Sequence, residues 1–128
     1  MTDALDRLHA AEEKKRLAMN TYGVDKDPDG IDQHMPGAKL DAGKIRMNLI
    51  MSGFSRALVE VARVGTYGAN KYTDNGWKAV DNGIERYTDA MYRHLMAENE
   101  EIRDRESDLL HAAHAAWNAL ARLELLLR

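Results

Sequence analysis

Cysteine is absent from this 128-residue chain. That excludes disulfide frameworks, thiolate metal centres and cysteine nucleophiles, and it suits an intracellular compartment. Proline occurs only twice, so little stands in the way of long helices. No apolar run approaches membrane-spanning length, and the Asp-, Glu- and Lys-rich N-terminus lacks the apolar stretch of a secretory signal; a soluble cytoplasmic protein is the expectation. A formal charge of −3 and a pI near 5.9 provide no field for coating a nucleic-acid polymer. Also missing are a phosphate-binding P-loop, a GxGxxG turn after a strand, an HExxH helix and a Ser-His-Asp spacing, so the common signatures of kinases, dinucleotide enzymes, zinc proteases and serine hydrolases do not apply.

What is present is hydrophobic content of 45% with seven Met and many Ala and Leu, enough for one packed helical core that gains from oligomerisation. The segment from Glu106 to Asn118 is the most informative. Glu106 or Ser107 is placed to cap a helix start, with Asp108 just inside it at the positive end of the helix dipole. At 100° per residue, Ser107, His111, His114 and Asn118 form a polar stripe beside an apolar face of Leu109, Ala113, Ala116, Trp117 and Leu120. A solvated face would favour Lys, Glu and Gln, which are better helix formers than His and Asn, so the residue types themselves suggest a function.

Along the chain, Thr2-Asp3 predicts a first helix running to about Asn20, with Glu12-Glu-Lys-Lys-Arg16 on its wet side. Residues 22–44, rich in Gly, Asp and Pro, read as an irregular connection. Within them Asp25-Lys-Asp-Pro-Asp-Gly30 opens like a calcium loop, but Pro36 stands where the bidentate Glu is needed, which favours a polar turn. A helix is predicted from Leu49 to about Thr66, with Phe54, Ala57, Leu58, Val61 and Val64 on one face. After it, two glycines and two tyrosines follow near the helix end. Turn signals at Asn75-Gly76 and Asp81-Asn82-Gly83 bound a loop, and a further helix is predicted from Ile84 to about Glu101. No useful strand alternation appears, so the fold class is all-α, a helical bundle with a separate N-terminal helix. The expected division is residues 1–43, the N-terminal helix and connection, and 44–128, a catalytic helical domain.

These helices project Glu60, Asp89, Glu98, Asp108, His94, His111 and His114 against a basic set of Lys44, Arg46, Lys71, Arg86 and Arg93. Carboxylates with open positions suit Mg²⁺ or Mn²⁺ bridged to substrate phosphates, and the imidazoles favour Mn²⁺.

Gly43-Lys-Ile-Arg46, Leu58-Val-Glu-Val-Ala-Arg-Val-Gly-Thr-Tyr-Gly-Ala-Asn-Lys-Tyr72, Trp77, Arg86-Tyr-Thr-Asp-Ala-Met-Tyr-Arg-His94 and the segment Glu106–Asn118 together resemble the phage dATP/dGTP diphosphohydrolases (MazZ-type). These are related to the MazG-type all-α nucleoside triphosphate pyrophosphatases. The resemblance covers about residues 43–126. It implies a helical bundle assembled as a homodimer or homotetramer, which uses Mg²⁺ or Mn²⁺ to hydrolyse purine deoxynucleoside triphosphates to the monophosphate and pyrophosphate. The MazG-type acidic pairs ExxE and ExxD are not intact: Asp108-x-x-His111, followed by Asn118, occupies the place of the second, and Asp89 is the best surviving acid of the preceding helix.

The expectation is therefore a metal-dependent dGTP/dATP pyrophosphohydrolase, in the host cell cytoplasm if phage-encoded. Glu60, Asp89, Glu98 and Asp108 would hold the cations, and His94, His111 and His114 would ligate metal or relay protons. Lys44, Arg46, Lys71, Arg86 and Arg93 would neutralise the phosphates, while Tyr72, Trp77 and Asn118 would contact base or sugar. The alternative is a non-catalytic helical module of a phage that binds nucleotide or another protein through its apolar faces.

Overall fold

The computed structural model describes residues 2–20 and 25–128. Among them are five α-helices and no strand: α1 Thr2–Asn20, α2 Asn48–Met51, α3 Ser55–Lys71, α4 Gly83–Ala97 and α5 His111–Leu126, with a short 3-10 helix at Gly76–Ala79. The all-α class expected from the periodicity holds. Two compact units divide the chain, residues 1–48 and 49–128.

In the first unit, α1 spans the predicted stretch, and the segment after it is organised by one carboxylate. Asp27, 8% exposed, accepts the backbone N–H groups of Asp29 and Ile31 on Oδ1 and that of Lys39 on Oδ2, at 2.8, 3.3 and 2.8 Å. These bonds, that from Lys39 foremost, hold its carboxyl below the usual range. Its oxygens thus serve the polar turn. Asp25, the opening residue of the same run, lies 3.7 Å from Lys44.

The second unit is built on α5. Its alanines favour helix and let neighbours approach closely, and Ala113, Ala115 and Ala121 form the buried core with Val64 of α3. Helices α4 and α5 make an antiparallel hairpin: His94 meets His111 at one end, Arg122 Nε donates to Thr88 Oγ1 at 2.8 Å midway, and Gly83 faces Leu125 at the other. A Cβ on Gly83 would fall 2.8 Å from Leu125 Cδ1, so a larger residue there would need the leucine tip to move. Helix α3 packs on the other side of α5, also antiparallel, with Gly65 against the Trp117 indole and Tyr67 edge-on to His114.

Three helices differ from their predicted bounds. Around Ser52-Gly53 the chain makes turns, so α3 starts at Ser55 and not Leu49. It then continues through Gly65 and Gly68 to Lys71, because packing on α5 outweighs the poor helix propensity of glycine. Helix α4 ends at Ala97 in a series of turns.

The third difference shapes the site. Helix α5 begins at His111, after the expected cap at Glu106 or Ser107. Asp108 does not lie in its first turn; at φ 58° it occupies the left-handed region, which asparagine and aspartate tolerate better than most residues. Its N–H bonds Asp104 O at 2.8 Å, Asp104 N–H bonds Leu109 O at 2.8 Å, and His111 N–H bonds Ile102 O at 3.0 Å. The residues before α5 therefore fold back as a small closed loop over the start of the helix.

Candidate functional site

That loop delivers Asp104 to the histidine end of the α4–α5 hairpin. His94 comes from the last turn of α4, and His111 and His114 from the first turns of α5, one turn apart and on one face. His94 Nδ1 and His111 Nδ1 lie 2.9 Å apart, and the rings of His94 and His114 stack with centroids 4.3 Å apart and planes 8° from parallel. His94, Asp104 and His111 each offer a ligand atom, all within 4.8 Å of one another, the one such group of three among the described residues.

Burial of the His94 ring, reinforced by His114 and His111 beside it, lowers its pKa to about 4. Burial lowers that of His114 as well, although Asp104 opposes the shift. Asp104 is ionised more readily than usual: its partial burial resists ionisation, but the N–H and hydroxyl of Ser107, with His114 and His94 nearby, outweigh it. The result is neutral imidazoles beside a carboxylate, the protonation state a cation needs.

The 2.9 Å between the two Nδ1 atoms is hydrogen-bond distance, and it can also be set against the ligand spacings of a divalent cation. With bonds of about 2.1 Å, adjacent ligands of an octahedral ion lie roughly 3.0 Å apart and those of a tetrahedral ion roughly 3.4 Å. The spacing of the two Nδ1 atoms, 2.9 Å, is that of the octahedral edge.

Neutral burial of these rings has a consequence for stability in the metal-free protein. The His94 pKa is near 6.5 in the unfolded chain and about 4 in the folded one, so between those values the unfolded state binds more protons. Its contribution is complete above about pH 6.5 and lost as pH falls toward 4, by about 2 kcal/mol once allowance is made for solvent around a partly exposed ring. Urea unfolding of chelator-treated protein at neutral pH and near pH 5 is expected to show this loss. Equal stability at both would show that the rings are not held neutral.

Around this core lies a second layer. Ser107 Oγ is 2.7 Å from His114 Nε2 and donates to Asp104 Oδ2 at 2.8 Å, while Ser107 N–H donates to the same oxygen at 2.8 Å. Lys71 Nζ, at the end of α3, reaches Glu106 at 2.6 Å. Tyr67 hydrogen-bonds Glu106 as well.

The other residues singled out by sequence are distributed differently. Glu60 pairs with Arg63 at 3.2 Å. Asp89, Glu98 and Asp108 are exposed, and none of the four acids belongs to the three-residue group with the histidines. Arg86 donates to Asp81 O at 3.4 Å. Arg93 neighbours His94 in the chain and disfavours its protonated form. Tyr72 is 74% exposed with Lys71 Nζ 5.4 Å from its ring centre. Lys44 and Arg46 belong to the first unit. Asn118 is buried and donates to His114 O at 2.8 Å, a bond within its own helix.

Trp77 joins Trp117 and Tyr87 in a cluster of edge-to-face rings, with centroids 5.7 Å from Trp117 and 6.4 Å from Tyr87. Tyr87 Oη donates to Trp77 O at 3.2 Å, tying the 3-10 helix to α4. Beside this cluster runs an open groove of about 500 Å³ between α3 and α5, lined by Leu58, Val61, Gly65, Trp77, Trp117 and Leu120 among others.

Sequence reasoning missed Asp104, along with the second-layer roles of Ser107, Tyr67 and Glu106. One local signal existed: Asp104-x-x-Ser107 has the spacing at which a carboxylate caps a backbone N–H three residues on. It says that a turn forms, not where the turn points.

Comparison with known proteins bears on this geometry. The family described as dATP/dGTP diphosphohydrolase, N-terminal, matches residues 34–128. The dATP/dGTP diphosphohydrolase of Salmonella phage PMBT28 is 42% identical over 83 residues, covering 64% of this chain and 27% of the relative. The chain thus spans about a quarter of that relative's length. No solved structure matches, and no helix among the described residues is long and apolar enough to cross a membrane. With its matched region running through both helices and the loop that form the histidine–aspartate group, the chain belongs to the dATP/dGTP diphosphohydrolase N-terminal family.

Proposed function

We propose that this chain hydrolyses dGTP and dATP to the monophosphate and pyrophosphate at the His94–Asp104–His111 group, with a divalent cation, Mn²⁺ in preference to Mg²⁺. The observation that carries the reading is the convergence of two imidazoles and one carboxylate from α4, α5 and the loop between them. Imidazole nitrogens favour Mn²⁺ over Mg²⁺, and a set of three leaves positions open for water and phosphate oxygens. A cation bound there would polarise the phosphate and lower the pKa of water.

The chain's own side chains supply the rest. Water oxygen attacks the α-phosphorus, the bond from that phosphorus to the bridging oxygen breaks, and pyrophosphate leaves with its electron pair. His114, neutral and next to the carboxylate, takes the proton of the attacking water. Lys71, released from Glu106 by a more highly charged phosphate, and Arg93 neutralise the leaving group. Trp77 and the groove next to it seat the purine; Trp117, which lines that groove, is one turn from His114 along α5. Glu60, Asp89, Glu98 and Asp108 remain candidates for a second cation, Arg86 for phosphate and Tyr72 for the sugar.

We also take the chain to work as a homodimer or homotetramer. In the second unit Phe54, Val59, Tyr92, Leu95, Met96, Leu120 and Leu123 are between 44% and 69% exposed, apolar area that a second copy would cover.

The test is incubation of the purified chain with each of the four dNTPs and Mn²⁺ or Mg²⁺, with chromatography of the products. dGMP and dAMP with pyrophosphate, faster with Mn²⁺, are expected. Release of intact triphosphate would overturn the cleavage position. Nucleotide binding without turnover would favour the non-catalytic module.

A further inference from the structure

The hydroxyl of Ser107 has one proton and three partners: Asp104 Oδ2 at 2.8 Å, His114 Nε2 at 2.7 Å and the backbone N–H of Leu109 at 3.2 Å. Leu109 N–H can only donate. If the hydroxyl gave its proton to His114, its oxygen would face a carboxylate oxygen with no hydrogen between them, a repulsive contact. Given to Asp104 instead, the proton satisfies the carboxylate, and the short contact to His114 then requires a proton on Nε2. Hydrogen-bond accounting therefore selects one tautomer, with His114 protonated on Nε2 and its Nδ1 lone pair left free.

The same serine restrains the carboxylate. Its N–H and its hydroxyl both land on Oδ2 of Asp104, which fixes the rotation of the group and leaves Oδ1 outside the bonds to the serine. Asp104 itself sits in a loop, where an unrestrained side chain would sample several rotamers.

We propose that Ser107 is the positioning residue of this site, its one hydroxyl orienting Asp104 for single-oxygen ligation through Oδ1 and locking His114 as the Nε2–H tautomer. The proposal rests on the reading of His94, Asp104 and His111 as cation ligands. Partners that orient ligands in this way change metal affinity by about 10- to 100-fold when removed.

Two readouts test it besides turnover. In nitrogen-15-labelled, chelator-treated protein near neutral pH, long-range proton–nitrogen correlations are expected to show His114 protonated on Nε2. By calorimetry with Mn²⁺, Ser107→Ala is expected to raise the dissociation constant about 10- to 100-fold, and Ser107→Thr, which keeps the hydroxyl, to restore it. His114 protonated on Nδ1 in the wild-type protein would overturn the proposal, and that measurement needs no variant. Wild-type Mn²⁺ binding with Ser107→Ala unchanged would overturn it alone, whereas a wild-type protein that binds no Mn²⁺ would overturn the cation reading and this proposal with it.

Discussion

Asp104→Asn is expected to lower dGTP and dATP hydrolysis by at least about 100-fold while leaving the fold intact. The amide keeps the shape of the side chain, and its oxygen can still accept the N–H and hydroxyl of Ser107, so the loop before α5 should close as before. What it loses is the negative charge beside His94 and His111, the one anionic member of the three-residue group. Mn²⁺ affinity should fall together with turnover, and the melting temperature in chelator should change little. Retained turnover with unchanged Mn²⁺ affinity would remove Asp104 from the site. Parallel assay of Glu60→Gln then decides whether α3 contributes a second cation position: loss of activity there, with the Arg63 pair as its sole structural cost, would place Glu60 in the chemistry.

The largest effect on stability is expected from Trp117→Ala, about 3 kcal/mol or roughly 10 °C in melting temperature. The indole lies edge-to-face with Trp77 at 5.7 Å and Tyr87 at 5.6 Å and packs over Gly65 of α3. It therefore joins α5 to α3, α4 and the 3-10 helix at once. Edge-to-face pairs contribute about 0.5–1.5 kcal/mol each beyond the area they bury. The second unit has little else to compensate, since its buried apolar residues are one valine and three alanines. Leu120→Ala, at a side chain 50% exposed on the same helix, makes the comparison and should cost under about 1 kcal/mol. Urea unfolding of the two variants checks both numbers. A Trp117 variant as stable as the wild type would mean that the aromatic cluster does not hold the helices together.

The two predictions also show which features could be read before the fold. Trp117 was placed on an apolar helix face by spacing alone, because helical periodicity is local and 3.6 residues per turn assigns every side chain a direction. Its partners are not readable: Trp77 lies 40 residues away, in a turn that only the fold brings against it. By sequence the glycines of α3 fall near a helix end. In the folded chain Gly65 lies inside the helix, where the Trp117 indole approaches closely.

The chain's own order of residues determined the all-α class, the first helix, the shared arc of His111 and His114, and the absence of thiol and P-loop chemistry. Each depends on residue type or on separations of a few positions. Tertiary structure alone decided which acid meets the histidines. Glu60, Asp89, Glu98 and Asp108 were chosen for their charge and their places on predicted helices, whereas Asp104 reaches the site because Asp108 adopts a left-handed conformation and the loop closes between Ile102 and His111. Such a closure turns on a single backbone angle and on hydrogen bonds across the loop, and neither has a period in sequence.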